Sequence, residues 1–287
     1  MADMLKQYQA AGKTLMDKLH FSTYPLAVRY IKNQSEIPAG AFQPSAFGQK
    51  LALCQAFTQA RRFGMTMAMT ADDNFCTPST AAHSWVDISV DDLMESQVQQ
   101  GWHKDKAAEK RRFEKQGEAM LSNMVNDPSE YCGLLCAPLF HAPFEPHTVL
   151  VYCDGEQITH LIHALSYEYL HVPESLFDGF AEACMKGGLI PFVTGRPQVV
   201  IPGAGDRSFS GTQTHELAIG MPGELVFYVL ENLFKTGGEM NPGYPSKIML
   251  PTHLTEEITP GFAFMREKID NAGKSGDKSK SRKTSET

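Results

Sequence analysis

An α+β fold (or a mixed α/β one), with a mixed sheet packed by helices in a single compact domain, is what this sequence predicts. Three observations predict it. Short apolar, β-prone runs alternate one at a time with amphipathic stretches, and no repeat of fixed period is present. Apolar residues make up 42% and charged residues 21% of 287, a balance that can bury a sizeable core. No long linker interrupts the pattern before residue 271, so residues 1–270 read as one globular domain and 271–287 as a disordered basic tail.

Residues 3–19 carry Met4, Leu5, Tyr8, Leu15, Met16 and Leu19 at near-helical spacing and predict an opening amphipathic helix. LAVRYI at 26–31 predicts a strand. A polar loop over 33–49 leads into a helix over 50–63 that stops at Gly64, then a strand over 65–70 and a turn over 71–74. Thr77-Pro78 starts a helix, with Thr as N-cap and Pro at the first helical position. Helices are expected over 91–100 and 104–125, and Asn126-Asp127-Pro128-Ser129 breaks the chain. Buried strands over 131–139 and 148–152 follow, and Asp154-Gly155 turns into a helix over 156–170. A helix over 175–185 ends near Gly187-Gly188. Strands at 198–201 and 216–220 and a helix over 222–234 complete the pattern.

Composition excludes several function classes. The net charge is −7, and the tail holds Lys274, Lys278, Lys280, Arg282 and Lys283 against Asp277 and Glu286, which leaves −10 on the body. An acidic body argues against nucleic acid as a partner. No apolar run is long enough to cross a membrane, and the N-terminus has no apolar signal segment, so a cytoplasmic protein is expected. Six cysteines at 54, 76, 132, 136, 153 and 184 then read as reduced thiols or metal ligands, although no CxxC pair is present.

The stretch GRPQVVIPGAGDRSFSGTQTHELAIGMPGE at 195–224 is the strongest local signal. A β-rich run ends in small residues, Gly203 and Gly205 among them, and Asp206-Arg207 follow at once. Such a loop lets the backbone approach a ligand, while Arg207 offers a bidentate contact to an anion or, with Asp206, a structural brace. It lacks the spacing of a dinucleotide fingerprint. His215 and Glu216 offer an acid–base pair or simply two polar side chains facing solvent. His160 and His163 have helical metal-ligand spacing without an evident third donor. Cys54 reads as a small buried residue on a helix face, whereas Cys76 faces the N–H groups of a helix start, which favour its thiolate. Cys132, Cys136 and Cys153 read as core, and so does Cys184 taken alone.

Several blocks in order carry a family resemblance: YPLAVR at 24–29, LCQAFTQAR at 53–61, FCTP at 75–78, LVYCDGEQ at 150–157, Cys184, TGRP at 194–197 through GDR at 205–207, and HELAIGMP at 215–222. Together they span residues 10–236, and the chain resembles the domain of unknown function 169 family, found largely in anaerobic bacteria and archaea. The resemblance implies that Cys54, Cys76 and Cys184 fall on shared positions. Some relatives carry Cys where this chain has Gly203, and some are fused to ferredoxin-like modules, which implies redox chemistry. Two functions are therefore expected. One is a redox protein whose Cys54, Cys76 and Cys184 hold an iron–sulfur cluster or other soft metal beside a small-molecule pocket, served by a small-molecule ligand or redox partner. The other is a non-catalytic module that binds an anionic small molecule or cofactor through Arg207 and the helix terminus beside Cys76, with Gly203, Gly205, Asp206 and Arg207 as the cofactor-binding loop.

Overall fold

The computed structural model describes residues 2–120, 130–177, 179, 182–241, 243–246 and 255–283. The chain divides into two units, Met1–Leu233 and Phe234–Thr287. Expected features at 121–129, including the helix end and the Asn126–Ser129 break, lie outside the described residues, as do 178, 180–181 and 284–287.

The first unit is an α+β fold built on six short strands: β1 (Leu26–Ile31), β2 (Met67–Thr70), β3 (Gly133–Pro138), β4 (Thr148–Cys153), β5 (Gln198–Val200) and β6 (Leu217–Pro222). Their order across the sheet is β2-β3-β1-β4-β6-β5. Among the described residues every strand pairing is antiparallel, in place of the expected mixed sheet, and parallel geometry is confined to the isolated bridges Phe42↔Met67 and Leu51↔Asn74. Apolar runs such as GLLCAP and TVLVYC do not themselves specify strand direction; the path of the chain between them does.

The central strands are buried on both faces, which explains their unbroken apolar runs GLLCAP and TVLVYC. One face presents Leu26, Val28, Tyr30, Leu134, Leu150 and Tyr152 to α2 (Leu53–Phe63) and to a π-helix (Glu182–Leu189). The other is covered from the side of α1 (Ala2–Leu19), α6 (Gly155–Ser166) and α9 (Leu225–Asn232). Side-chain caps set the joints. Asp154 accepts the N–H groups of Glu156 and Gln157 at the start of α6, and Gln157 Nε2 donates to Leu19 O at 2.8 Å, tying α6 to the end of α1.

The remaining helices of this unit are α3 (Thr77–Ala82), α4 (Val90–Gln99), α5 (Lys106–Met120), α7 (Ile190–Thr194) and α8 (Ala204–Ser210). Cys76, not Thr77, is the N-cap of α3. The helix expected over 175–185 is displaced: residues 175–177 are irregular, and the π-helix occupies 182–189. Glycine contact explains the shift. A Cβ on Gly220 of β6 would lie 1.9 Å from the Gly187 carbonyl, so the π-helix backbone rests directly on the sheet. In the second unit, α10 (Pro260–Lys283) runs through part of the basic segment read as a tail.

Candidate functional site: a thiol-lined cavity

Four segments of the first unit meet at a cavity of about 370 Å³. The first turn of α2 brings Leu53 and Cys54, and the start of α3 brings Phe75, Cys76 and Ser79. Cys184 and Met185 come from the π-helix, and Gly205, Asp206 and Phe209 from α8. Leu93, Gln97, Trp102, Arg112 and Phe113, from α4, α5 and the turn between them, close the remaining side. Cys54, Cys76 and Cys184, the three cysteines on which the sequence argument rests, thus share one wall with Gly205 and Asp206.

Local hydrogen bonds hold this arrangement. The Cys54 thiol approaches the Gly205 carbonyl at 3.9 Å, and Thr58 Oγ1 donates to Ser210 O at 2.8 Å, so α2 is fastened to α8 at both ends. Asp206 Oδ2 accepts the N–H of Gly203 at 3.0 Å and of Ala183 at 3.3 Å, joining α8 to the π-helix. His83 Nδ1 lies 2.8 Å from Ser79 O, and its ring also faces the backbone of Cys184.

Residues 202–207 are therefore not an open binding loop. They form the entry and first turn of α8, and their polar groups are spent on the fold. Arg207 Nε donates to Pro202 O at 3.1 Å and Nη1 to Gln213 O at 2.8 Å, so the guanidinium braces the backbone and is absent from the cavity wall. Gly203 serves through its N–H to Asp206. Gly205 does reach the wall, yet a Cβ there would meet nothing nearer than Phe209 at 3.9 Å, so no close approach requires a glycine. Glu216 is buried in an ion pair while His215 is exposed, so the two do not work together. His160 and His163 sit on α6, across the sheet from the cavity.

The acidic groups around the cavity influence one another. Burial, then the Asp206 charge and Cys76, pushes the Cys54 thiol up to about 12. Cys184 is driven well above the ordinary thiol range by burial, Asp206 and the other two cysteines, against a hydrogen bond with Ser79. Cys76 is raised by burial, and the Ser79 N–H at the helix start pulls it the other way. The helix-start effect expected for Cys76 is present, but burial outweighs it. Asp206 is itself held above the usual carboxylate range by burial, despite its two backbone donors. All three cysteines are consequently neutral thiols near pH 7. Among the described residues, no three of His, Cys, Asp and Glu stand close enough to hold a metal ion.

Sequence reasoning misses Trp102, Phe113 and Phe209, which form much of the apolar wall. Trp102 and Phe113 lie in no recognisable motif and Phe209 is an unremarked member of the 195–224 stretch, and only the packing of α4, α5 and α8 brings them to one place. Cys132 lies just before β3, and Cys136 and Cys153 are buried in the sheet. All six cysteines are free. No helix among the described residues is long and apolar enough to cross a membrane.

No curated protein and no solved structure matches the chain significantly. A family model does match residues 14–232, nearly the whole of the unit that contains the cavity. The chain belongs to that family, DUF169, described as uncharacterised ArCR.

Proposed function

We propose that the chain binds a small molecule in this cavity and that Cys54, Cys76 and Cys184 are the groups that act on it. One observation carries the reading: three cysteines from three separate elements line a single cavity of ligand size, together with a buried carboxyl group. A cysteine is a soft nucleophile and electron donor once its thiol gives up its proton, so redox or thiol chemistry with a small-molecule substrate or redox partner that draws that proton away is the reaction class that suits them. Six free cysteines suit a reducing compartment, in keeping with a cytoplasmic protein.

A soft metal ion or iron–sulfur cluster is the second reading, favoured by the same shared wall. The donor chemistry suits it, three sulfurs and a carboxylate, but the spacing among the described residues does not. No step is therefore assigned to a metal. The binding of an anion through Arg207 loses its main support, since that side chain is engaged with backbone carbonyls.

Alkylation of the folded, anaerobically purified protein with iodoacetamide tests the first reading, with iron, zinc and sulfide analysis alongside. Cys76, the least deeply buried of the three, is expected to react, while Cys136 and Cys153 stay protected in the sheet. Labelling of the sheet cysteines at the same rate as Cys76 would end the reading. Stoichiometric metal bound in wild type and lost in Cys54→Ser would replace it with the second.

A further inference from the structure

We propose that the cavity's occupant is an uncharged, flat, largely apolar organic molecule, gripped by the aromatic rings at the cavity mouth. This rests on the reading of the cavity as a small-molecule site and adds the class of molecule.

The charges on the wall are the first ground. Only Asp206 and Arg112 among the described lining residues are charged types, and each is hydrogen-bonded inside the protein. Asp206 takes the Gly203 and Ala183 N–H groups. Arg112 is bound by Glu109, whose carboxylate oxygens lie 3.0 and 3.1 Å from its Nε. An ionic ligand would leave water for a largely apolar wall whose two charged side chains are already committed to partners within the protein. The amides of Gln97 and Gln100 remain on the wall, and they orient a ligand without favouring either sign.

The aromatic rings are the second ground. Phe75 is 62% exposed, Phe209 57% and Trp102 40%, yet all three border the same cavity. Large apolar side chains left in water around one opening mark a binding surface more than a folding requirement. Phe113 continues the aromatic wall. Rings set around a cavity of this volume favour a planar multi-ring ligand, by stacking and edge contacts.

The chain's two tryptophans supply the test. Trp85 is off the cavity wall and its Nε1 has no hydrogen-bond partner among the described residues, so Trp85→Phe keeps an aromatic ring beside His83 and leaves Trp102 as the single tryptophan reporter. Three dyes of one shape are titrated against this variant: neutral aminoanthracene, cationic aminoacridine and anionic anthracene sulfonate. Saturable quenching of Trp102 by aminoanthracene is expected, with affinity at least about tenfold above either charged dye. Phe209→Ser, at an exposed position, is expected to weaken aminoanthracene about tenfold while the circular dichroism spectrum is unchanged. A charged dye that binds as tightly as the neutral one overturns the ligand class and leaves the small-molecule cavity standing. Affinity that Phe209→Ser does not alter places the dye elsewhere and overturns the proposal. Saturable quenching by none of the three overturns both the ligand class and the cavity reading.

Discussion

Arg61 and Glu216 form a two-pronged ion pair in the interior, 155 residues apart in sequence, with Nη1–Oε1 at 2.5 Å and Nη2–Oε2 at 3.2 Å. Arg61 is fully buried and its guanidinium carbon lies 3.9 Å from the ring centre of Tyr152 on β4. Arg62 adds a second cation to the same carboxylate at 3.0 Å. The pair locks the C-terminal half of α2 to the chain entering β6, and the same helix carries Cys54 at its other end. It is therefore a positioning device for the cavity as well as a structural one.

Glu216→Gln is expected to cost about 3–5 kcal/mol of stability, because it leaves Arg61 buried without its counter-ion. Urea unfolding followed by circular dichroism measures this. A loss below about 1 kcal/mol would mean that water or the new amide oxygen satisfies Arg61, and the positioning role would fail.

Stability is expected to fall on mild acidification, through two histidines. Burial holds His83 down to about 4, and burial with the nearby Arg29 charge holds His147 to about 4. His147 Nδ1 accepts the Tyr30 N–H at 3.2 Å, a bond that a protonated ring cannot make. The unfolded chain takes up these protons near 6.5, so it binds more protons than the folded one between about 6.5 and 4. The stabilisation is complete above 6.5 and lost as pH falls to about 4, with His83 contributing roughly 3 kcal/mol over the full window. Glu216 and Asp73 act in the same direction at lower pH. Burial opposes their charge, but Arg61, Gln213 and Arg62 hold Glu216 below its usual range, and hydrogen bonds from Ser45 and Thr70 do so for Asp73. Asp206, raised by burial, works the opposite way as pH falls through its folded value. Urea midpoints at pH 7 and pH 5 are compared between wild type and His147→Asn, and the fall is expected to be smaller in the variant. An equal fall in both would show that the His147 ring is not held neutral.

Gly220→Ala is expected to be severely destabilising, by about 3 kcal/mol or more, although alanine is a small and conservative replacement. Its methyl group would stand 1.9 Å from the Gly187 carbonyl and 2.7 Å from Gly187 Cα, and both are backbone atoms that no rotamer can move aside. The π-helix must lift from β6 to make room, and Cys184 moves with it. Gly205→Ala is the control, since a Cβ there meets ordinary contact only. Thermal unfolding of the two variants should separate them widely. Equal melting temperatures would mean that the π-helix is not seated on the sheet.

Local chemistry makes much of this molecule legible in its sequence. LAVRYI forms β1 over the residues expected, and Thr77-Pro78 marks the start of α3 to within one position. The convergence of Cys54, Cys76 and Cys184 follows from family resemblance alone, since nothing in their spacing implies contact. What stays illegible depends on long-range packing. Asp206 and Arg207 look like ligand-binding residues in sequence because nothing local reveals that the Ala183 N–H and the Gln213 carbonyl will engage them. The π-helix departs from its expected place for the same reason: the pairing of Gly187 with Gly220 joins positions on different elements. Phe75 and Phe209 read as ordinary apolar residues until α3 and α8 set them around one opening.

Residues 1–233 are expected to fold without the rest of the chain. The first unit ends at Leu233 and the family match at residue 232, and every residue lining the cavity lies inside both. The last helix of that unit, α9, buries Leu225, Val226 and Val229, completing one helical layer of the sheet before the boundary. The remaining residues include the basic segment over 271–287, which has no large apolar residue with which to build a core. Limited proteolysis of the full chain should therefore cut within 234–287 first and leave a resistant fragment. A chain ending at residue 233 should match the full protein in free energy of unfolding by urea to within about 1 kcal/mol, and in the quenching of Trp102 by aminoanthracene. An insoluble 1–233 chain, or one that unfolds without cooperativity, would show that the C-terminal residues belong to the core fold.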